Sequence, residues 1–415
     1  MNTISEKDLF STFESIYDYS MAETKYPFDP SLSKEEKQLS REDDTDVSPP
    51  PEIVAFNELR SCRDLVKMVE KGLIYKSFFQ RGYVWKPNDQ ARFIDSLIKG
   101  LPIPSLCISY DYDQNLRYVI DGRQRIETIF NFLTHDDYYI PKIKDIDKRL
   151  QGKRVGQLRN GTKEAKDLID RVEDLTIPVT VIRCNFKEET HMKYLFKIFH
   201  RLNTGGIRLN NQEIRNCIYN GKFNTFIQKT TEYGNYRLLM DIDVDKEGNT
   251  EYQYRFAWEE MNLRFFAMFD GLEKYNGQLA SFLNAYMYKY FTLELKERKG
   301  NIDNGTHSLG SEIILKNEIF EKTIDTLYNK ILAKKSIFKV MEEKASKALI
   351  EALLVATARN LEHLTAITDD TAVKYFKLLI ADKEFTTNAL KEGLSATKKV
   401  QDRINKAIAI FSGKE

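Results

Sequence analysis

One stretch limits how this chain can fold more than any other: Tyr118-Val-Ile-Asp-Gly-Arg-Gln-Arg-Ile-Glu-Thr-Ile-Phe-Asn-Phe-Leu133. It opens as an apolar strand and turns at Asp121-Gly122. It then carries Ile126, Ile129, Phe130 and Leu133 at helical spacing, so the helix that follows has one buried face. Arg123, Gln124 and Arg125 fall on the first turn of that helix, beside N–H groups that lack intrahelical acceptors. Those donors, the positive end of the helix dipole and two guanidiniums make a place for phosphate. Gly122 would let the backbone approach a ligand closely. The plainer alternative has Asp121 capping the helix and the arginines solvated. On these residues alone both readings stand open.

The surrounding pattern places this stretch in a mixed domain. Residues 1–30 hold an amphipathic segment (Leu9, Phe10, Phe13, Ile16, Tyr17), and 31–52 form a charged linker ending in Pro49-Pro50-Pro51. Ser61 is placed to cap a helix that turns Leu65, Val66 and Val69 inward. An aromatic and polar loop, residues 78–87, precedes a second helix, with Asn88 as its expected cap and Phe93, Ile94, Leu97 and Ile98 inward. Gly100, Pro102 and Pro104 end it. Residues 105–110 and 116–120 read as a hairpin around the turn Asp111 to Asn115. Residues 142–171 turn basic, but acids are mixed in, which favours a solvated face over a phosphate-backbone patch. A strand over 177–183 and a helix over 188–202 lead to the turn Arg201-Leu-Asn-Thr-Gly-Gly206. Asn210 and Glu213 then have capping-box spacing.

Beyond about residue 225 strand patterns disappear, apart from a candidate near the turn 246–249. Helices are expected over 255–269, 279–295, 312–332, 344–360, 370–380 and 397–411. The fold class is therefore α+β, with an all-helical C-terminal region. The expected domains are a segment and linker over 1–52, a mixed domain over 53–222 and a helical domain over 223–415.

Composition excludes several classes. Hydrophobic residues make up 42% and charged residues 30% of the 415, as in an ordinary soluble chain. No apolar run is long enough to span a bilayer, and no basic-then-apolar signal opens the chain, so a cytoplasmic protein without membrane contact is expected. Cys62, Cys107, Cys184 and Cys217 lack metal-type spacing and read as buried thiols. The net charge of +1 gives no global attraction to nucleic acid, so any such binding needs a local patch. The five histidines have no paired spacing, and neither a Walker loop nor a nucleophile elbow occurs.

Three segments do combine polar side chains with Gly or Pro beside them, flanked by core: Gln80-Arg81-Gly82-Tyr83-Val84-Trp85, Asp121 to Arg125, and Arg201 to Gly206. Their arginines match phosphate oxygens in a bidentate fork. The side-chain oxygens of Asp121 and Asn203 suit Mg²⁺, which takes few protein ligands and keeps the rest for water and phosphate. Phosphoryl transfer rests on positioning and charge stabilisation, so such a set could hydrolyse the nucleotide it binds. The alternative for each segment is structural: packed aromatics at Tyr83 and Trp85, a plain turn at Asn203, and a pinned loop at Gln80 and Arg81.

Four motifs carry a resemblance. Gln-Arg-x-Tyr-Val-Trp at 80–85, Leu-Ile-x-Gly-Leu-Pro-Ile-Pro at 97–104, Val-Ile-Asp-Gly-Arg-Gln-Arg at 119–125 and Arg-Leu-Asn-Thr-Gly-Gly-x-x-Leu at 201–209 resemble bacterial domain-of-unknown-function family 262. That family is the N-terminal domain of GmrSD-type modification-dependent restriction enzymes. The resemblance covers about residues 50 to 220 and implies a ParB/sulfiredoxin-like fold. It implies binding and hydrolysis of nucleoside triphosphate through an Asp-Gly-x-Gln-Arg motif, tied to sensing modified phage DNA. Asp121, Gly122, Gln124 and Arg125 fall on that motif. Gln80 and Arg81 fall on the loop near the nucleotide or modified-base pocket, and Asn203, Thr204, Gly205 and Gly206 on the second polar turn.

Two departures stand out: Arg123 where Gln is common, and Gly82 where Pro is frequent. The nuclease unit that completes those enzymes is not recognisable, so cutting would come from a separate chain. The resulting expectation is a nucleotide-binding, triphosphate-hydrolysing component of an anti-phage restriction system. Asp121, Gln124 and Arg125 would be catalytic, Arg123 would join the phosphate site, and Asp121 with Asn203 would hold Mg²⁺. The alternative is a DNA-binding module without nucleotide turnover, whose footprint is Arg81, Tyr83, Trp85, Arg149, Lys153 and Arg154. A structural adaptor is the third reading.

Overall fold

The computed structural model describes residues 48–75, 85–202, 210–242, 256–298, 308–341, 345–386, 389–390 and 394–414. The chain forms two compact units. One covers Asp46–Leu209 with Asn216–Ile218, and the other takes in Asn210–Arg215 and Tyr219–Glu415. The first mixes strands and helices and the second is helical, which is the expected α+β class.

The first unit is built on a five-stranded sheet in the order β1-β5-β3-β4-β2. Its elements in chain order are β1 (Val54–Ser61), α1 (Cys62–Glu70), β2 (Ile74–Tyr75), α2 (Pro87–Ile98), β3 (Leu106–Asp111), β4 (Leu116–Asp121), α3 (Arg123–Thr134), α4 (Val155–Arg159), α5 (Lys163–Asp174), β5 (Thr176–Cys184) and α6 (Glu189–Leu202). β3 and β4 form the expected antiparallel hairpin, with a register shift at Cys107/Ile108. β3 runs parallel to β5, and β1 pairs antiparallel with β5's other edge. The buried Asp111 carboxylate accepts from the amides of Asp113 and Gln114 and, at 2.6 Å, of Phe186. It thus closes the hairpin turn and ties it to the chain leaving β5. Leu65, Ile94, Leu97, Ile129, Phe132, Leu168 and Val172 pack with Ile108, Val119, Val179 and Val181 in one core.

Several sequence readings need correction. Asn88 does not cap α2. That helix starts at Pro87 after Lys86, because proline's fixed φ suits the first helical position and its missing N–H is no loss there. In the charged run 142–171, Lys148, Arg149, Lys153 and Arg154 are exposed, as a solvated face requires; what was not expected is α5, with Leu168, Ile169 and Val172 buried. β1 and β2 were not expected at all. β1 is an edge strand whose residues are mostly exposed, so it shows no buried alternation. The Ser61 cap is present, accepting from the Asp64 amide. So is the capping box of Asn210 and Glu213 at the head of α7 (Asn211–Ile218). The four cysteines are buried thiols, as expected.

The helical unit continues with α8 (Lys222–Thr230), α9 (Gly234–Leu239), α10 (Ala257–Gly271), α11 (Leu279–Arg298), α12 (Leu309–Asp325), α13 (Ile337–Val340), α14 (Lys347–Arg359), α15 (Leu361–Ala366), α16 (Asp369–Ala381) and α17 (Thr397–Phe411). The six expected helices are there with shifted ends. α8, α9, α13 and α15 are additions, and the last turns expected of α12 are π-helical over Thr326–Ile331. α14 packs against α10 and α17. The core is aromatic: Phe265, Phe266 and Phe320 are in mutual ring contact, and Phe223 stacks on Tyr290 at 4.0 Å. No described helix is long and apolar enough to cross a membrane. The candidate strand near 246–249 and the amphipathic segment at the N-terminus lie outside the described residues.

Candidate functional site

The turn between β4 and α3 decides the geometry. Gly122 is the N-cap of α3 with φ +94°, and no side chain bonds to the helix's first amides from the cap position. A Cβ at this position would stand 2.3 Å from Leu106 Cδ2 and 3.0 Å from Arg125 Nη2, so conformation and space both demand glycine. Asp121 therefore does not cap the helix as the plainer alternative has it. Its Oδ2 instead accepts from Arg125 Nη2 at 2.9 Å, one helical turn on, and its side chain stays 46% exposed.

Neither arginine is solvated. Arg125 is 11% exposed and donates to the carbonyls of Pro104 and Ser105 as well as to Asp121. Burial pulls its pKa down and the Asp121 carboxylate opposes that pull. Arg125 thereby fastens the start of α3 to the Pro104–Ser105 segment that leads into β3. Arg123 pairs at 2.9 Å with Glu127, and both side chains are 15% exposed. Glu127, Pro104 and Ser105 were not among the sequence candidates. The i,i+4 spacing of Arg123 and Glu127 was the available signal.

Gln124 links two of the three polar segments. Its side-chain oxygen accepts from the Trp85 amide at 3.3 Å, and Trp85's indole packs edge-to-face on Phe93. The Trp85 carbonyl accepts from Gln90, whose own amide oxygen accepts from the Tyr138 hydroxyl at 2.7 Å. Gln80, Arg81 and Tyr83 lie outside the described residues, as do Asn203, Thr204, Gly205 and Gly206. Asp121, Gly122, Arg123, Gln124, Arg125 and Trp85 are thus brought together. Among the described residues no group of three His, Cys, Asp or Glu could hold a metal. A Mg²⁺ ion that needs one carboxylate, with the rest of its shell from water and phosphate, is compatible with the half-exposed Asp121.

The basic stretch behaves differently from residue to residue. Arg149 is bound by Asp147 at 2.6 Å, an arrangement that holds the Asp147 carboxyl at about 2. Arg154 donates at 2.5 Å to the Asp137 carbonyl and lies over the Tyr139 ring. Lys153 is exposed.

The first unit thus defines a class: a mixed-sheet module with an Asp-Gly-Arg-Gln-Arg turn between its fourth strand and the following helix. Residues 62–220 match the family described as GmrSD restriction endonuclease, N-terminal domain. No curated protein and no solved structure matches the chain.

Proposed function

We propose that this chain is a component of a restriction system, and that its first unit, of the ParB/sulfiredoxin type, binds and hydrolyses nucleoside triphosphate at the β4–α3 turn. The carrying observation is the left-handed Gly122 heading an α3 without a side-chain cap, with a half-exposed carboxylate on one side and Gln124 on the other. The match of residues 62–220 supports the restriction role. On this reading the phosphates lie against the first turn of α3, where backbone N–H groups and the helix dipole favour anions. A bound Mg²⁺ would supply charge neutralisation of the phosphates. Asp121 and Asn203 would hold it, and Arg125 would fix Asp121 in place. Gln124 would set the position of the Trp85 segment, and Gln80, Arg81, Thr204, Gly205 and Gly206 would complete the cradle. DNA would be the second partner, and strand cutting would belong to a separate nuclease chain.

The test is phosphate release from each of the four triphosphates with Mg²⁺, comparing wild type with Asp121→Asn. Loss of turnover at unchanged fold supports the reading. Equal turnover removes Asp121 from the site and the proposal with it.

A further inference from the structure

The sheet of the first unit leaves one long edge open. β1 stands last in the strand order, pairs with β5 on one side and, among the described residues, has no strand on the other. The direction of its backbone groups follows from one contact. The Cys62 amide donates at 2.9 Å to the Leu175 carbonyl, one step beyond the Ser61–Thr176 pair of the ladder. Hydrogen-bonded pairs recur at every second residue of an antiparallel ladder. Val54, Phe56, Glu58 and Arg60 therefore exchange bonds with β5, and the N–H and C=O groups of Ala55, Asn57 and Leu59 point off the edge.

Such an edge is normally guarded by proline, lysine, a bulge or a covering element, because a row of free donors and acceptors recruits another strand. β1 reads Val-Ala-Phe-Asn-Glu-Leu-Arg-Ser and pairs without a register shift, so it carries no guard of its own. Val54, Phe56 and Leu59 are 50%, 42% and 69% exposed, so nothing covers it either. The strand is also complementary to itself. A two-fold axis through Asn57, perpendicular to the sheet, sets Asn57 against Asn57 of a second copy, Ala55 against Leu59, Phe56 against Glu58 and Val54 against Arg60. Every outward group of Ala55, Asn57 and Leu59 is then used, in pairs that exchange two bonds each. Leu59 gains an apolar neighbour, and Val54 gains the stem of an arginine. Moving the axis one residue, to Glu58, would set two carboxylates face to face, which is unfavourable. About Asn57 no like charges are directly opposed, and Arg60 holds Glu58 of its own copy at 2.8 and 2.9 Å.

We propose that β1 joins β1 of a second copy of this chain, antiparallel about Asn57, so that two five-stranded sheets become one continuous sheet. The pairing goes beyond the reading of the β4–α3 turn and does not depend on it, since β5 and β3 stand between β1 and β4.

Sedimentation equilibrium of the full chain tests the association, and cysteine cross-linking tests the register. A dimer is expected. Its dissociation constant should rise roughly tenfold or more in Ala55→Pro, which removes one outward donor from each copy, and in Leu59→Lys, which sets a charge against Ala55. Neither change removes a bond to β5, because the residue 55 amide faces away from it and Leu59 is exposed. Asn57→Cys should give a disulfide-linked dimer under mild oxidation, since the two residues face each other at about 5.5 Å between Cα atoms. Leu59→Cys should not, since its two copies lie four residues of strand apart, about 13 Å. The four native cysteines are buried and do not compete. Variants whose Trp85 emission matches wild type are compared, so that folding is controlled. A chain that stays monomeric overturns the proposal. So does a dimer that Ala55→Pro and Leu59→Lys both retain, or one cross-linked through residue 59 and not through residue 57. A monomer that dimerises only after removal of residues 1–47 would assign the edge to the chain's own N-terminal segment, and would overturn it equally.

Discussion

Replacing Gly122 with alanine should unfold the first unit's sheet more readily than any other single methyl addition to its turns. Two costs combine. A non-glycine residue in the left-handed region costs roughly 1–2 kcal/mol. The added Cβ also meets the Cδ2 methyl of Leu106, and Leu106 is fully buried, so relief requires that side chain to shift against its core neighbours. Overpacking of that kind costs about 1–3 kcal/mol. The sum, about 2–5 kcal/mol, is a large part of the ~5–15 kcal/mol that holds a domain together. The chain has two tryptophans, Trp85 in the first unit and Trp258 in the helical one. In a Trp258→Phe background, Trp85 emission during urea titration therefore reports the first unit alone, which avoids treating a two-unit chain as two-state. Gly72→Ala is the matched control: φ is +66° there, but a Cβ would meet nothing within 4 Å. Only the conformational part, ~1–2 kcal/mol, should appear. If Gly122→Ala costs no more than Gly72→Ala, the close approach of Leu106 to the turn is wrong, and with it the geometry assigned to the site.

Other substitutions report on neighbouring contacts. Gln124→Ala should shift Trp85 emission and destabilise the first unit by about 1 kcal/mol, since it removes the acceptor of the Trp85 amide; an unchanged spectrum would deny the link. Arg125→Met should cost about 2–4 kcal/mol in the same assay by stranding Asp121 and two carbonyls, with Arg125→Lys recovering only part. In the helical unit, burial alone would raise the Glu260 carboxyl, but Arg264, Arg215 and Lys347 hold it at about 2 against an ordinary 4.5. Its contribution is therefore complete above pH 4.5 and is lost as pH falls toward 2, so the acid limb of a stability profile should flatten in Glu260→Gln. Native protein should resist thiol labelling at neutral pH, because all four cysteines are buried and burial pushes Cys62 and Cys107 up to about 12; rapid labelling of the folded chain would contradict that packing.

What could be read from the sequence was whatever repeats at short range. The β3–β4 hairpin, α3 and the Asn210–Glu213 box each announce themselves within a dozen residues, and each is present. β1 was silent because its partner β5 is more than a hundred residues away and its own side chains face outward. The head of α2 was misplaced because Asn88 has the better capping chemistry, while Pro87 has the better backbone. The buried ions were invisible for a different reason. Glu260 and Arg264 have the spacing of an exposed i,i+4 pair, and nothing local distinguishes a pair on a helix that α14 will pack against. The motif residues Asp121 to Arg125 were legible as a group, but not their internal pairing.

That pairing changes how the site has to work on the proposed reading. Two guanidiniums next to a helix N-terminus look like a phosphate clamp when written as a sequence. In the fold each already faces a carboxylate, Arg123 with Glu127 and Arg125 with Asp121. Arg125 is also bonded to two carbonyls, so lending it to a phosphate would break three contacts of a nearly buried cation. The attraction for phosphate then rests on the amides of the first α3 turn, and Arg125 acts by holding Asp121 where its second carboxylate oxygen can serve. A positioning role has a signature that a clamp lacks. Arg125→Lys, which keeps the charge and loses the fork, should lower kcat far more than it raises KM for the triphosphate. A clamp would do the reverse, and a result of that kind would return Arg125 to the phosphate and oblige the Pro104–Ser105 segment to move when nucleotide binds.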